Sequence, residues 1–253
     1  MIKLKNQADI LGLTESGKRL AHILHELVPK AVAGVTTSEL DDLAYEAIKA
    51  LGDKPAFLGY RPAGSPISYP ASLCVSLNEE IVHGLPSKRV LKNGDLVTLD
   101  LGLNHDGYFT DMAITVPVGE VSTELKKLIN VTRESLALGI KEAKVGNYTG
   151  DIGFAVNECV VRNGFKVVRD LAGHGVGFAP HEEPLVPNYG KRGKGVKLKA
   201  GMVIAIEPMV AIGSDQISLL PDGFTFVTRD GSISAHFEHT VLITEAGPKI
   251  LTQ

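Results

Sequence analysis

Apolar and polar positions divide the chain into a helical front, a run of short strands, a second helical stretch and a strand-rich tail. Between residues 8 and 28, Ile10, Leu13, Leu20, Ile23, Leu24 and Leu27 fall at roughly helical spacing. Thr36 followed by Glu39 is a capping-box signature, each side chain answering the other residue's backbone N–H. It opens a second helix predicted to run to about Leu51 and stop at Gly52. Residues 55–75 are rich in Pro, Gly and Ser and read as a loop. Apolar runs at 72–77, 95–102 and 113–118 read as strands, with Asp106-Gly107 as a hairpin signal between the last two. Helices are expected over 122–143 and 149–163, and strands over 202–206, 224–228 and 236–244.

This order repeats. Gly34, Thr37, Leu40, Glu46, Ile48 and Gly52 match Gly146, Thr149, Ile152, Glu158, Val160 and Gly164, every pair 112 residues apart. The repeat suggests two αα-then-β halves around a pseudo-twofold axis, hence one α+β domain over 1–253.

Composition narrows the function classes. With 44% hydrophobic residues, 22% charged and a net charge of −3, the chain is ordinary globular protein. Cys74 and Cys159 are too few for a disulfide scaffold or a zinc ribbon. The start, Met1-Ile-Lys-Leu-Lys-Asn, has no apolar signal region, and no run of about 18 apolar residues occurs. A cytoplasmic protein without a membrane span is expected. The near-neutral charge argues against a dedicated DNA binder. Lys191, Arg192, Lys194, Lys197 and Lys199 form a local basic stretch, read either as a solvated loop or as a weak contact with ribosomal RNA. Serine-hydrolase elbow, P-loop, dinucleotide and His-Glu-x-x-His strings are all missing.

The informative residues are acids inside apolar runs: Asp100 in Leu96-Val-Thr-Leu-Asp-Leu-Gly, Asp111 before Met112-Ala-Ile, Glu207 after Met202-Val-Ile-Ala-Ile, and Glu238 before His239-Thr-Val. Burying a carboxylate without a partner costs several kcal/mol at least. A loop at His105-Asp106 would pair Asp100 directly with Asp111, and one at Asp106-Gly107 would leave them diagonal. Either register puts both carboxylates side by side on one face, where like charges need a proton or a cation. Salt bridges to Lys or Arg are the bland alternative, yet 95–118 contains neither. His174, bracketed by glycines in a presumed loop, with His83 and His181, completes a donor set. Four acids sum to −4, which two divalent cations would balance. Oxygen-rich ligands with one imidazole suit Mn, Fe, Co or Zn, and two such ions could activate water and polarise a carbonyl.

These residues resemble type I methionine aminopeptidases. The likeness lies in Ser76-Leu-Asn-Glu-Glu-Ile-Val-His83-Gly-Leu-Pro, Asp100, Asp111, Gly173-His174-Gly, His181, Ile206-Glu207-Pro208-Met209 and Phe237-Glu238-His-Thr, and runs from about Leu4 to Leu251. It implies the pita-bread fold of that family, a curved, mainly antiparallel sheet with two pseudo-symmetric halves. It implies two divalent metal ions (Co, Mn, Fe or Zn) held by Asp100, Asp111, His174, Glu207 and Glu238. It implies catalytic roles for His83 at the scissile nitrogen, His181 at the carbonyl and Glu207 in proton transfer. Tyr69, Cys74 and Phe224 would form the methionine pocket, and Asn78 and Ser234 a monovalent cation site. The implied activity is removal of N-terminal methionine from nascent polypeptides, with a small second residue preferred.

Three stretches depart from the family pattern. Residues 61–68 look like an insertion beside the substrate mouth, Phe224 stands where relatives often carry Trp, and Phe178-Ala-Pro180 replaces the usual residues before His181. The closest rival is an Xaa-Pro peptidase of the same fold. Such enzymes usually carry a further N-terminal domain, for which the roughly 95 residues ahead of the strand that carries Asp100 leave no room. A non-catalytic binding protein would be expected to lack ligands, and all five are present.

Overall fold

Both front helices are built by their caps. In the computed structural model, which describes residues 2–61 and 66–253, α1 spans Gln7–Leu27 and α2 spans Thr37–Ala50. Four residues of the 61–68 segment, 62–65, lie outside the described residues. Asn6 Oδ1 accepts the N–H groups of Ala8 and Asp9, and the Asp9 carboxylate accepts that of Asn6. At α2 the expected box is present: Glu39 N–H donates to Thr36 Oγ1 at 3.2 Å and Thr36 N–H to Glu39 Oε2 at 2.7 Å. Gly52, at φ +77°, stops the helix in a left-handed conformation that a side chain resists.

The strands β1 (Lys54–Pro55), β2 (Leu73–Leu77), β3 (Glu80–Val82), β4 (Leu96–His105) and β5 (Tyr108–Pro117) follow. The β4–β5 turn is Asp106-Gly107, with φ +50° and +89°, a left-handed pair that suits a two-residue hairpin. The register sets Asp100 opposite Ala113 and Asp111 opposite Gly102, so the diagonal alternative holds. β5 starts well before residue 113 because ladder pairing to β4, rather than its own hydrophobicity, carries the strand back to the turn.

α3 (Thr123–Glu142), capped by Ser122, and α4 (Thr149–Arg162) open the second half. After them come β6 (Lys166–Val167), β7 (Ala172–Gly175), β8 (Glu182–Pro187), β9 (Val203–Ile206), β10 (Met209–Ala211), β11 (Ile217–Leu219), β12 (Phe226–Thr228), β13 (Ser234–His236), β14 (Glu238–Thr244) and β15 (Gly247–Ile250). Two expectations change here. The strand expected over 224–228 begins only at Phe226, because the Asp222 carboxylate accepts the N–H groups of Phe224 and Thr225 and closes a turn. The strand expected over 236–244 is two strands in different sheets, with the chain switching between them at Phe237.

The main sheet has nine strands in the order β1-β4-β5-β14-β9-β7-β8, with β2 beside β4 and β15 beside β14, all antiparallel. One face of it packs on the helices. Leu20, Leu24, Leu40 and Ile48 meet Leu73, Val97, Leu99 and Leu101 in the first half. Leu128, Leu136, Ile152 and Val160 meet Ile204, Ile206, Val241 and Ile243 in the second. Side chains alternate along each strand, so Asp100 and Asp111 fall on the other face.

The 112-residue repeat is structural. The ends of α2 and α4 differ by that spacing, and Leu40, Ile48, Ile152 and Val160 are all fully buried. Gly34 N–H donates to Leu91 O and Gly146 N–H to Leu198 O, while Thr37 N–H meets Arg89 O and Thr149 N–H meets Val196 O. The halves join along β5 and β14, where Met112 lies opposite His239.

Candidate metal centre and substrate cavity

Four carboxylates reach one cavity because both halves send the same strands to it. Asp100 comes from the middle of β4 and Glu207 from the end of β9, while Asp111 and Glu238 flank the β5–β14 seam on one face. Glu207 and Glu238 both stand where strands leave the main sheet for the small β13-β10-β6 sheet, which frees their side chains from sheet packing. The cavity encloses about 500 Å³ and is lined by all four acids, His83, His174, His181, Tyr69, Cys74 and Phe224. Every metal, catalytic and pocket residue expected from the sequence is therefore brought together. Asn78 and Ser234 are brought to each other but not into this cavity: Ser234 Oγ donates to the carbonyls of Asn78 and Glu80, each at 3.2 Å.

The stretch around His174 is a strand, not a loop. The glycines serve crowding between strands: a Cβ at Gly173 would meet the Ala205 carbonyl of β9, and one at Gly175 the Glu183 carbonyl of β8. Nδ1 of His174 bonds the Gly175 carbonyl at 2.9 Å, which makes Nδ1 the protonated nitrogen and leaves the Nε2 lone pair toward Glu207 Oε1, 3.4 Å away. A hydrogen bond of this kind, fixing the outer ring nitrogen, presets an imidazole for a metal.

Electrostatics point the same way. Burial pushes Asp100 up to about 7, with Asp111 and Cys74 pulling back. Burial first and the Asp100 charge second push Asp111 well above the carboxylate range. Glu207 and Glu238 are raised by burial and then by the neighbouring acids. Burial also lowers His174 to about 3 and His83 to about 4, so both imidazoles are neutral at physiological pH. Among the described residues no Lys or Arg pairs with these acids, and Glu238 Oε1 is buried without any hydrogen-bond partner. Mutually repelling carboxylates, ligand-ready imidazoles and an orphaned oxygen fit divalent cations. Asp111, His174 and Glu238 can offer one ion three ligand atoms within 4.8 Å of one another.

The remaining walls divide by chemistry. Phe57, Tyr69 and Cys74 form an apolar side, with Phe224 edge-on to Tyr69 at 5.3 Å. On the other side His181 stacks near Tyr60 and its Nδ1 lies 3.0 Å from Tyr60 Oη. The His181 segment is tethered from beneath: Lys5, from the N-terminal arm, pairs with Glu182 at 2.6 Å, and Glu182 also accepts the Phe178 and Ala179 N–H groups. His83 holds φ +58°, a conformation strained for a non-glycine residue, and packs against Phe226. Sequence reasoning missed Tyr60, Lys5 and His236. Tyr60 stood beside the 61–68 departure, and His236 lies two residues before Glu238; Lys5 had no local signal.

Comparison with known proteins agrees with this geometry. Residues 12–245 match the model of metallopeptidase family M24. A methionine aminopeptidase of Clostridium perfringens is 47% identical over 252 residues, covering 100% of this chain and 99% of its own. The crystal structure of a methionine aminopeptidase from Thermotoga maritima superposes with a TM-score of 0.95 at 45% identity, with both chains fully covered. A prolidase from Pyrococcus horikoshii shares the fold alone, at TM-score 0.77 and 23% identity, and this chain covers 63% of it. The chain belongs to metallopeptidase family M24 and has its pita-bread fold. Relatives matched over nearly their full length, from Clostridium perfringens, Aquifex aeolicus and Bacillus subtilis, are methionine aminopeptidases.

Proposed function

We propose that the chain is a methionine aminopeptidase, a metal-dependent exopeptidase that removes N-terminal methionine from peptides and nascent polypeptides. One observation carries this reading: four buried carboxylates from both halves and three histidines share a cavity with an apolar wall. The full-length likeness to methionine aminopeptidases supports it. Because both halves supply ligands, residues 1–253 are read as one catalytic domain.

Asp100, Asp111, His174, Glu207 and Glu238 would hold two divalent ions, Co, Mn, Fe or Zn. When bound, these supply an activated water at neutral pH and polarisation of a carbonyl. His83, neutral at physiological pH, offers an N–H at the scissile nitrogen. Tyr60 Oη occupies Nδ1 of His181, which leaves Nε2 for the substrate carbonyl. Glu207, beside His174, would carry protons between water and the leaving amine. The substrate methionine would pack against Tyr69, Cys74 and Phe224, where its thioether meets aromatic edges. A small second residue would be preferred because its side chain must lie among the histidines.

Asn78 and Ser234 remain candidates for a monovalent cation, since two carbonyl oxygens already converge at the Ser234 hydroxyl. Among the described residues no helix is long and apolar enough to cross a membrane. A cytoplasmic setting suits a nascent-chain substrate, and exposed Lys191, Lys194 and Lys197 would provide a weak ribosome contact. Cleavage of a Met-Ala-Ser peptide set beside an Ala-Pro peptide, with each metal added to stripped protein, tests the reading. Faster release from Ala-Pro would move the assignment to the Xaa-Pro peptidases. No cleavage of either with any metal would leave a non-catalytic binding protein.

A further inference from the structure

His181 ends the turn between β7 and β8, where residues 176–181 run outside both strands. Beyond Gly177, whose carbonyl accepts the Phe109 N–H at 2.7 Å, the next two backbone N–H groups look to one side chain. Glu182 Oε1 accepts both, from Phe178 and Ala179, while Glu182 Oε2 accepts Lys5 Nζ at 2.6 Å. The Lys5 side chain is 1% exposed and that of Glu182 8%. The ammonium also donates to the Lys3 carbonyl at 3.2 Å and stands 4.7 Å from the centre of the Phe178 ring. Lys5 therefore grips the turn twice, through Glu182 and through Phe178. Its own backbone is fixed, its N–H donating to the Gly201 carbonyl at 2.8 Å. Gly177 leaves it passage: at φ +140°, a Cβ there would run into Lys5 Cε. A buried ion pair is often no more stabilising than apolar residues of the same volume, so its use under this turn points to geometry.

We propose that Lys5 is a positioning residue for His181, acting through Glu182 to fix the turn that aims the imidazole at the substrate carbonyl. The inference rests on the peptidase reading above. Tyr60 Oη, 3.0 Å from Nδ1, sets the rotation of the ring, whereas Lys5 sets where the ring stands. Without the ammonium, the Glu182 carboxylate is a buried charge with no cation, which must take a proton or turn to water. Either change loosens its hold on the Phe178 and Ala179 N–H groups, and the turn loses its anchor. Lys5 itself stands outside the cavity, so its removal costs aim rather than a cavity wall. A misplacement of about 1 Å at a reacting centre can cost about 100-fold in rate.

The test is steady-state cleavage of a Met-Ala-Ser peptide by full-length, metal-loaded protein, for wild type, Lys5→Met, His181→Ala and the double variant, each checked for fold by circular dichroism. Lys5→Met should lower kcat by about 10–100-fold and leave KM within about threefold, because the lost interaction acts on the transition state. In the His181→Ala background the same substitution should lower kcat by less than about twofold, since the two residues act as a unit. An equal loss in both backgrounds would make Lys5 a structural residue only and overturn the proposal. An unchanged kcat in Lys5→Met, or a loss carried by KM alone, would overturn it too. Imidazole proton–nitrogen NMR of the zinc-loaded protein supplies a readout that needs no turnover. The His181 resonances, identified by their absence in His181→Ala, should shift or broaden in Lys5→Met, while those of the distant His22 and His105 stay in place. Unmoved His181 resonances reject the coupling. Should Lys5→Met misfold, Lys5→Met/Glu182→Leu, which removes both charges together, takes its place in both measurements with the same deciding outcomes. A wild type that cleaves no peptide would sink the peptidase reading instead, and the resonances would still decide whether Lys5 places His181.

Discussion

The two halves of the molecule share a scaffold and divide the chemistry. Gly34, Thr37, Leu40, Ile48 and Gly52 do for α2 what Gly146, Thr149, Ile152, Val160 and Gly164 do for α4, down to the left-handed glycine at each end. The acids correspond as well: Asp100 with Glu207 on β4 and β9, Asp111 with Glu238 across the seam. Beyond the acids the likeness stops. The first half supplies His83 and most of the apolar wall, while the second supplies Phe224, His174 and His181. Symmetry is kept where packing and charge balance need two of everything. It is lost where an amide substrate, which has different ends, must be told apart.

The largest effects are expected at the symmetric acids. Asp111→Asn and Glu238→Gln, at the seam, should abolish peptidase activity and lower bound metal measured by mass spectrometry. Asp100→Asn and Glu207→Gln should follow, since each serves at one side. Full activity and full metal content in either seam variant would end the correspondence between acids and ions.

The asymmetric histidines come next. His83→Ala and His181→Ala should each lower kcat/KM by about 10²–10⁴-fold while bound metal stays unchanged, as for general acid–base or polarising groups. Tyr60→Phe should show a smaller form of the His181 effect, about fivefold, because it removes one hydrogen bond of roughly 1 kcal/mol. Metal loss from either alanine variant would turn that histidine into a ligand.

Metal removal links the halves through pH. In the metal-free chain Asp100 keeps its proton to about pH 7, whereas an unfolded aspartate loses it near about pH 4. Between those values the folded chain binds more protons than the unfolded one, so its stability falls as pH rises. Metal displaces the proton and removes this penalty. The rise in Tm on adding Co(II) should therefore be larger at about pH 7.5 than at about pH 5. An increment that shrinks with rising pH would contradict the protonated, cation-seeking site.

How far the sequence reached follows the same division. Features repeated by local rules were legible: both capped helices, the Asp106-Gly107 hairpin, the 112-residue repeat and every acid, because a charge inside an apolar run announces itself. What depended on distant pairing was not. β7 hid behind its glycines because those residues answer to strands β8 and β9 rather than to their own neighbours. The break at Phe237 was invisible because 236–244 contains no Gly, Pro, Asn, Asp or Ser to mark it, while the switch of sheet is set by pairing to β10. Lys5 reaches Glu182 across the whole chain, and no local pattern encodes that contact.

Core substitutions probe the shared scaffold. Leu40→Ala and Ile152→Ala each empty a fully buried site under a helix, and each should cost about 2–5 kcal/mol in urea unfolding. Near-equal losses would show that both halves carry similar shares of stability. A loss confined to one would mean that the other half unfolds separately.

The smallest expected effect lies at the helix starts, where the halves differ by one capping hydroxyl. Thr36 caps α2 with its hydroxyl, accepting the Glu39 N–H at 3.2 Å. At the matching position Tyr148 has no side-chain cap. The Asp151 carboxylate takes the Tyr148 N–H at 2.8 Å and the Gly193 N–H at 3.0 Å, tying α4 to the basic loop. The second helix therefore replaces a local cap by a tether to a distant segment. Thr36→Ala should cost about 1 kcal/mol, the ordinary value of a lost N-cap. Tyr148→Thr supplies the missing hydroxyl at an extended φ of −125° and ψ of 160°, where a capping residue fits. It should gain back less than Thr36→Ala loses, because Asp151 already anchors the turn. Both are read from urea midpoints at constant m-value. A gain at Tyr148 equal to the loss at Thr36 would mean that the Asp151 tether contributes nothing to the start of α4, and that the two helix ends differ in sequence only.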